Sequence, residues 1–243
     1  SEMCIRDRYS FLQFNRDTMT EVALIDHNGE GEATANIQLC TAHWYGGNRE
    51  QSCENTVKSV KKLLGGIQID GYYELNMSEI PKLNSMVDGV TVTLEDDFSK
   101  KYPKMKKGAT INLDDEQAYA YVHDRYGVGD EENTSRMKRQ QQYMTGFFKK
   151  LQEKVKANPN YANEVFESLQ DVSTTDIAIG KISNISNIFA SGTDKGIFEL
   201  AGKSKIGQAL GDEMDHMEFY VNKKAMVSTM SELFGIVEQK NKE

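Results

Sequence analysis

Proline is scarce in this 243-residue chain, three residues in all, and no long Gly/Ser tract interrupts it. A flexible linker between domains is therefore not expected. No apolar run approaches the roughly 20 residues that cross a bilayer. No signal peptide is recognisable at the start, so the chain as given reads as soluble. Only four histidines occur, His27, His43, His123 and His216, none in H-x-x-x-H spacing, and the three cysteines, Cys4, Cys40 and Cys53, match no zinc pattern. A G-x-x-x-x-G-K-[ST] phosphate loop is missing, and Ser52 and Ser135 lack the setting of a nucleophile elbow. Basic residues are outnumbered, 29 against 37 acidic, for a net charge of −8. That balance argues against a general nucleic-acid binder.

What is present is an alternation of strand and helix signals. Phe11 to Thr18 is a short apolar run, and Met19 to Ile25 pairs with Ala33 to Leu39 across the turn Asp26-His27-Asn28-Gly29. Ser52 caps a helix to Leu64 that Gly65-Gly66 ends. Ile67 to Leu75 reads as a strand, Ser78 caps a helix with Pro81 in its first turn, and Val90 to Leu94 alternates as a strand. Lysine-rich Ser99 to Gly108 reads as a surface excursion, and Asp114 caps a helix through Val122. A long helix carries Met137, Met144, Phe147, Phe148, Leu151 and Val155, and Tyr161 to Leu169 is helical. Thr174 or Thr175 opens another helix, with Ile177, Ile179, Ile182 and Ile185 as candidates for burial. Ile197 to Leu200 and Met217 to Val221 are strands, and Ala225 to Val237 is a closing helix. This pattern is that of an α/β domain with helices on both faces of a central sheet. Residues 11–243 are read as one domain.

The chemistry concentrates in Gln117 to Gln142, QAYAYVHDRYGVGDEENTSRMKRQQQ. Asn133, Thr134 or Ser135 caps a helix that begins near Arg136, and Arg136, Arg139 and Gln140 then share one face of its first turn. Cations at a helix N-terminus oppose the macrodipole unless an anion lies between them and the free N–H groups. With Arg125 just before them, a phosphate fits that role, because arginine pairs with it through two parallel hydrogen bonds. The competing reading is a solvated helix start with ion pairs to Asp130, Glu131 and Glu132. Arg16-Asp17-Thr18 reads as a strand-edge ion pair. His43-Trp44-Tyr45 reads as core packing rather than a sugar or lipid pocket. Cys40 and Cys53 flank a turn-rich stretch. A disulfide there would contribute about 3 kcal/mol by the loop-entropy model, and two buried thiols are the equal alternative.

These residues resemble the LytR–CpsA–Psr family of bacterial cell-wall ligases. His123-Asp124-Arg125 followed by Arg136-Met137-Lys138-Arg139-Gln140 is similar to that family's "R-x-R … R-x-x-R-Q" block, and Asn15-Arg16-Asp17-Thr18 to the end of its "P-R-D-T" motif. Ser52 to Leu64, Asp70 to Leu75 and Val87-Asp88-Gly89-Val90 resemble its helix, strand and "V-D-x-x-G-G-V" turn, the last shortened. The resemblance implies a three-layer α/β/α sandwich with a mixed central sheet. It implies transfer of an anionic glycopolymer or other glycan from a polyprenyl pyrophosphate carrier to peptidoglycan, on the extracellular face of the cytoplasmic membrane. Arg16, Arg125, Arg136 and Arg139 would clamp the pyrophosphate with Mg²⁺, Gln140 would add a hydrogen bond, and Asp17 would orient Arg16 or act as base. An extracellular setting would also favour the Cys40–Cys53 disulfide.

Three departures accompany the resemblance. His123 stands where the family has its first arginine, which weakens the clamp at that place unless the imidazole is protonated. The family's preceding strands, with the aspartates that hold Mg²⁺, and its N-terminal membrane helix have no counterpart before Phe11, so the expectation is an N-terminally incomplete domain. Residues 1–10 do not resemble those strands and are set apart as a leader. The alternative to the transferase is a non-catalytic binder of polyprenyl-phosphate-linked or anionic glycans using the same arginines.

Overall fold

Apolar spacing switches repeatedly between the two-residue period of strands and the longer period of helices, and the backbone follows it. The computed structural model describes residues 8–31 and 33–234. Its elements are β1 (Arg8–Gln13), β2 (Met19–Ala23), β3 (Thr34–Gln38), α1 (Arg49–Leu63), β4 (Tyr73–Leu75), α2 (Ile80–Met86), β5 (Val90–Thr93), β6 (Thr110–Leu113), α3 (Asp115–His123), α4 (Asn133–Ala157), α5 (Tyr161–Ser168), β7 (Ser173–Thr175), α6 (Ile179–Ser191), β8 (Thr193–Glu199), β9 (Gly202–Gly207), β10 (His216–Val221) and α7 (Lys223–Phe234). The expected α/β class is what they make. Cys4 and most of the leader lie outside the described residues, as does Val237 at the expected end of the last helix; Arg8 to Ser10 begin β1.

Contacts gather in two compact units. A helical unit comprises Leu75–Ser173 and Ile177–Ile197 with Arg8 and Tyr9, and a strand-rich unit comprises Ser10–Glu74, Thr174–Asp176 and the chain from Phe198 on. Each unit draws on separate stretches of the span 11–243.

In the helical unit, β5 and β6 pair antiparallel with Val90 opposite Leu113 and Val92 opposite Ile111. Val90, Val92 and Leu113 face the core, while Thr93 and Thr110 join hydroxyls at 2.9 Å on the exposed face. Helix α4 lays Tyr143 and Phe147 on this core. It approaches so closely at Gly146 that a Cβ there would meet Val90 Cγ1 at 2.6 Å. Helix α3 opens at the expected cap Asp114, which forms a reciprocal capping box with Gln117. Asn84 of α2, only 1% exposed, knits these elements together. Its amide donates to Leu113 O at 3.0 Å and Asp115 Oδ1 at 2.9 Å, and its oxygen accepts from Val90 N at 3.1 Å and Tyr143 Oη at 3.2 Å.

Two sequence expectations are corrected. The lysine-rich excursion is not wholly at the surface: Phe98 and Met105, at its start and middle, are buried in the core while its lysines stay outside. Thr174 and Thr175 do not open a helix but belong to β7, and α6 begins at Ile179. Ile179 and Ile185 are then 43% and 50% exposed, because Ser186 occupies the buried side of α6.

In the strand-rich unit, β2 and β3 form the expected hairpin, with Met19 opposite Gln38 and Val22 opposite Ala35. Asp26 Oδ1 closes the turn by accepting from Asn28 N and Glu30 N, both at 2.9 Å, and Gly29 supplies a φ of 82°. β9 and β10 form a second antiparallel pair. A parallel bridge, Thr18 to Phe219, with Phe219 N donating to Asp17 O at 2.8 Å, places β10 beside β2. The two antiparallel pairs thus meet through a single parallel bridge. Helix α1 packs on this layer and starts three residues before the expected Ser52, because Asn48 accepts from Gln51 N at 2.9 Å and serves as the cap. Gly65 and Gly66, at φ 77° and 89°, end it as expected. Trp44 is 64% exposed, so the expectation of core packing fails at that residue.

Asn84→Ala removes the partners of Val90 N and Leu113 O inside the helical core. A loss of about 2–3 kcal/mol is expected, read as a lower urea midpoint, with the exposed Thr91→Ala as a control that stays near wild type.

Candidate anion-binding site

A helix leaves its last four carbonyls without intrahelical donors. At the end of α3 two of these, on Tyr121 and Val122, are met by side chains from the first turns of α4. Arg139 Nε donates to Tyr121 O at 3.0 Å, and Gln140 Nε2 donates to Val122 O at 3.0 Å. Arg139 Nη2 donates to Asp124 O, just past the helix, and Nη1 is paired with Asp96 Oδ2. The Phe98 ring lies against the same guanidinium, 5.3 Å from Cζ. Arg139 is 2% exposed. A buried cation of this kind is tolerated only when its charge and its N–H groups are matched, and here all three nitrogens are taken. Arg139 and Gln140, expected as ligand contacts, thus spend these donors within the fold. They form a bracket that holds the end of α3 against the start of α4.

The loop this bracket secures carries Arg125. Val128 is buried in the helical core, and Gly127 N donates to Glu131 Oε1 at 2.8 Å, so the loop is pinned on both sides of its tip. Gly129, at φ 57°, lies so near Asp96 that a Cβ would meet Oδ1 at 2.5 Å. Arg125 itself is half-buried, with Cζ 4.4 Å from the Tyr126 ring centroid and Nη2 donating to the Tyr126 hydroxyl. Its Nε is buried without a hydrogen-bond partner. Unlike Arg139, this guanidinium is not satisfied by the fold.

Helix α4 starts at Asn133, three residues before the expected Arg136, and no side chain caps it. Arg136 is half-buried, with Nη2 donating to Asn133 Oδ1 at 2.6 Å. The acidic run folds back on the loop. Asp130 accepts from Glu132 N at 2.9 Å and from Ser135 Oγ at 2.7 Å, and these bonds hold its carboxyl below the usual carboxylate range. His123 is exposed, stacked on Tyr119 at 4.8 Å, with Nδ1 3.1 Å from Asp124 Oδ1. Lys101 Nζ reaches the other Asp124 oxygen at 3.3 Å. Among the described residues, no three His, Cys, Asp or Glu side chains converge as a metal cluster.

Arg16 and Asp17 belong to the strand-rich unit. Arg16 Nε lies 3.4 Å from Asp17 Oδ1, and Nη2 donates to Cys40 Sγ at 3.6 Å. Cys53 Sγ lies 3.9 Å from His43 Nε2. Cys40 and Cys53 are both free thiols, so the candidate disulfide is not formed in this structure. Each sulfur is turned to a different neighbour, and burial pushes both thiols above their usual range. Sequence reasoning passed over Asp96 and Tyr126. The one available signal for Asp96 was the acidic run Glu95-Asp96-Asp97 directly after a strand, a place from which a carboxylate can turn inward.

A family model described as the LytR_cpsA_psr family matches residues 5–234. No curated relative matches the chain. Among solved structures, a protein from Enterococcus faecalis described as a transcriptional regulator is 19% identical with a TM-score of 0.68, covering 95% of this chain and 78% of its own. TagV of B. subtilis is 18% identical with a TM-score of 0.64, covering 93% and 83%. TagT bound to LIIa-WTA is 19% identical with a TM-score of 0.65, covering 93% and 78%. At these identities the likeness is one of fold.

The two arginines separate in a stability measurement. Arg139→Ala strands Asp96 and two carbonyls and is expected to cost about 3–5 kcal/mol. Arg125→Ala, losing a partly exposed ring contact, is expected to cost under about 1 kcal/mol. Chemical denaturation of both variants checks the order, and the reverse order would contradict the bracket.

Proposed function

The chain belongs to the LytR–CpsA–Psr family of glycopolymer transferases, and from that membership we propose that it transfers a cell-wall glycopolymer from a polyprenyl pyrophosphate carrier to peptidoglycan. The observation that carries the donor assignment is Arg125, a guanidinium fixed by a braced loop yet left with an unpartnered nitrogen. The solved relative TagT bound to LIIa-WTA supports the substrate class. The regulator description of the Enterococcus faecalis relative draws no support from a net charge of −8.

In this reading a peptidoglycan sugar hydroxyl attacks the phosphorus that carries the glycan. The new P–O bond forms as the bond to the lipid phosphate breaks, and the hydroxyl proton passes to a base. Negative charge grows on the departing phosphate, and fixed donors stabilise it without reorganising. Arg125 and Arg136 supply those donors from the helical unit. Arg16 belongs to the strand-rich unit, where Asp17 lies beside its Nε and orients it. His123 is a rim contact, and Arg139 and Gln140 act through the loop they hold. Mg²⁺ would supply further charge neutralisation at the phosphates. The carboxylates near the loop do not fit a dedicated cage, since Asp96 is paired with Arg139 and Asp130 with its own loop.

We place the reaction on the outer face of the bacterial cytoplasmic membrane. No described helix is long and apolar enough to cross a membrane.

Turnover of a polyprenyl pyrophosphate-linked glycan onto a peptidoglycan oligomer with Mg²⁺ tests the reading. Arg125→Ala is expected to lower kcat by about 100-fold or more, the scale for losing one charge-stabilising donor. Equal turnover by wild type and variant would remove Arg125 from the site. Bound carrier with no product would favour a glycan-binding role instead.

A further inference from the structure

We infer that Tyr126 is a second anion-binding residue of the Arg125 site, presenting a phenolic O–H that Arg125 polarises toward the pyrophosphate. The inference rests on the proposed role of Arg125. It starts from which atom gives the hydrogen. An arginine nitrogen can only donate, so the Tyr126 oxygen accepts from Arg125 Nη2. The phenol's own hydrogen must then point elsewhere. Tyr126 is 75% exposed, which leaves that hydrogen free to reach solvent or a ligand. A hydroxyl that accepts from a cation is a stronger donor in turn, because each bond in the chain polarises the next.

The position of the ring is also set. On one side Asp124 O is held by Arg139, and on the other Val128 is buried and Gly127 N is bonded to Glu131. The backbone on both sides of Tyr126 is therefore fixed. Its ring covers the Arg125 guanidinium with the centroid 4.4 Å from Cζ, an arrangement that holds the cation in one plane. Such a pair differs from the Arg139 site in what it leaves over. Arg139 has every nitrogen bonded, whereas Arg125 keeps an unpartnered Nε and Tyr126 keeps an O–H free to reach solvent or a ligand. A multiply charged oxyanion approaching the pair can accept from the exposed Tyr126 hydroxyl while the half-buried Arg125 guanidinium supplies the charge behind it.

Calorimetric titration of the full chain with inorganic pyrophosphate tests this. Tyr126→Phe keeps the ring over Arg125 and removes only the O–H, and about a 10-fold rise in Kd is expected. Tyr126→Ala removes the ring as well and is expected to bind a further few-fold more weakly. Thermal unfolding of the ligand-free variants is expected to match wild type, which a purely structural role for the tyrosine would not allow. A Kd for Tyr126→Phe equal to wild type, while Arg125→Ala loses binding, would overturn the inference and leave the reading of Arg125 intact. Tighter binding by Tyr126→Phe would also overturn it, since the phenol would then be competing with the anion. Unchanged binding in Arg125→Ala, or no binding of pyrophosphate by wild type, would overturn the reading of Arg125 and the inference with it.

Discussion

A guanidinium taken out of water needs its charge answered and its N–H groups bonded. Arg139 has both, from Asp96 and from the carbonyls of Tyr121 and Asp124. Three pieces of chain that local structure alone would leave independent meet at this one side chain. They are the loop after β5, the end of α3 and the first turns of α4. Arg139 can make these bonds only because the next turns of α4 fix the helix in the core through Tyr143 and Phe147. The loop that carries Arg125 inherits its position from this arrangement rather than from bonds of its own.

The consequence is a division of labour among arginines that look equivalent on paper. Arg139 is closed off by the fold, and Arg125 is left open by it. Both belong to the same motif, yet one builds the site and the other serves it. That division suits charge-stabilising chemistry, where donors must be in place before the charge appears. A donor held by a flexible loop would lose part of its effect to reorganisation. Here the flexible component is removed by Val128 in the core, by Glu131 on Gly127 N and by the Arg139 bond to Asp124 O.

Much of the fold was legible because the signals were local. The turn after Asp26, the Asp114 cap and the glycine stop after α1 each involve residues within a few positions of one another. The α/β class followed from them. The misreadings share a different cause. Arg139 and Asp96 are 43 residues apart, and nothing in the short motif reveals that the arginine points inward. Phe98 and Met105 sit among lysines, yet their burial is decided by the core they return to. Thr174 and Thr175 are good helix openers whose neighbours took them into a strand instead. Between a disulfide and two buried thiols, which spacing left open, the fold takes the thiols, each facing a different group. The site was thus half visible: its arginines could be named, and their separate tasks could not.

The dependence of the Arg125 loop on the buried ion pair is most directly measured by amide hydrogen exchange in Asp96→Asn, which keeps the shape of the side chain and removes its charge. The account predicts faster exchange across residues 121–131, with the β5–β6 ladder unchanged. Protection at 121–131 equal to wild type would contradict it, because the loop would then be held by something other than Arg139 and Asp96.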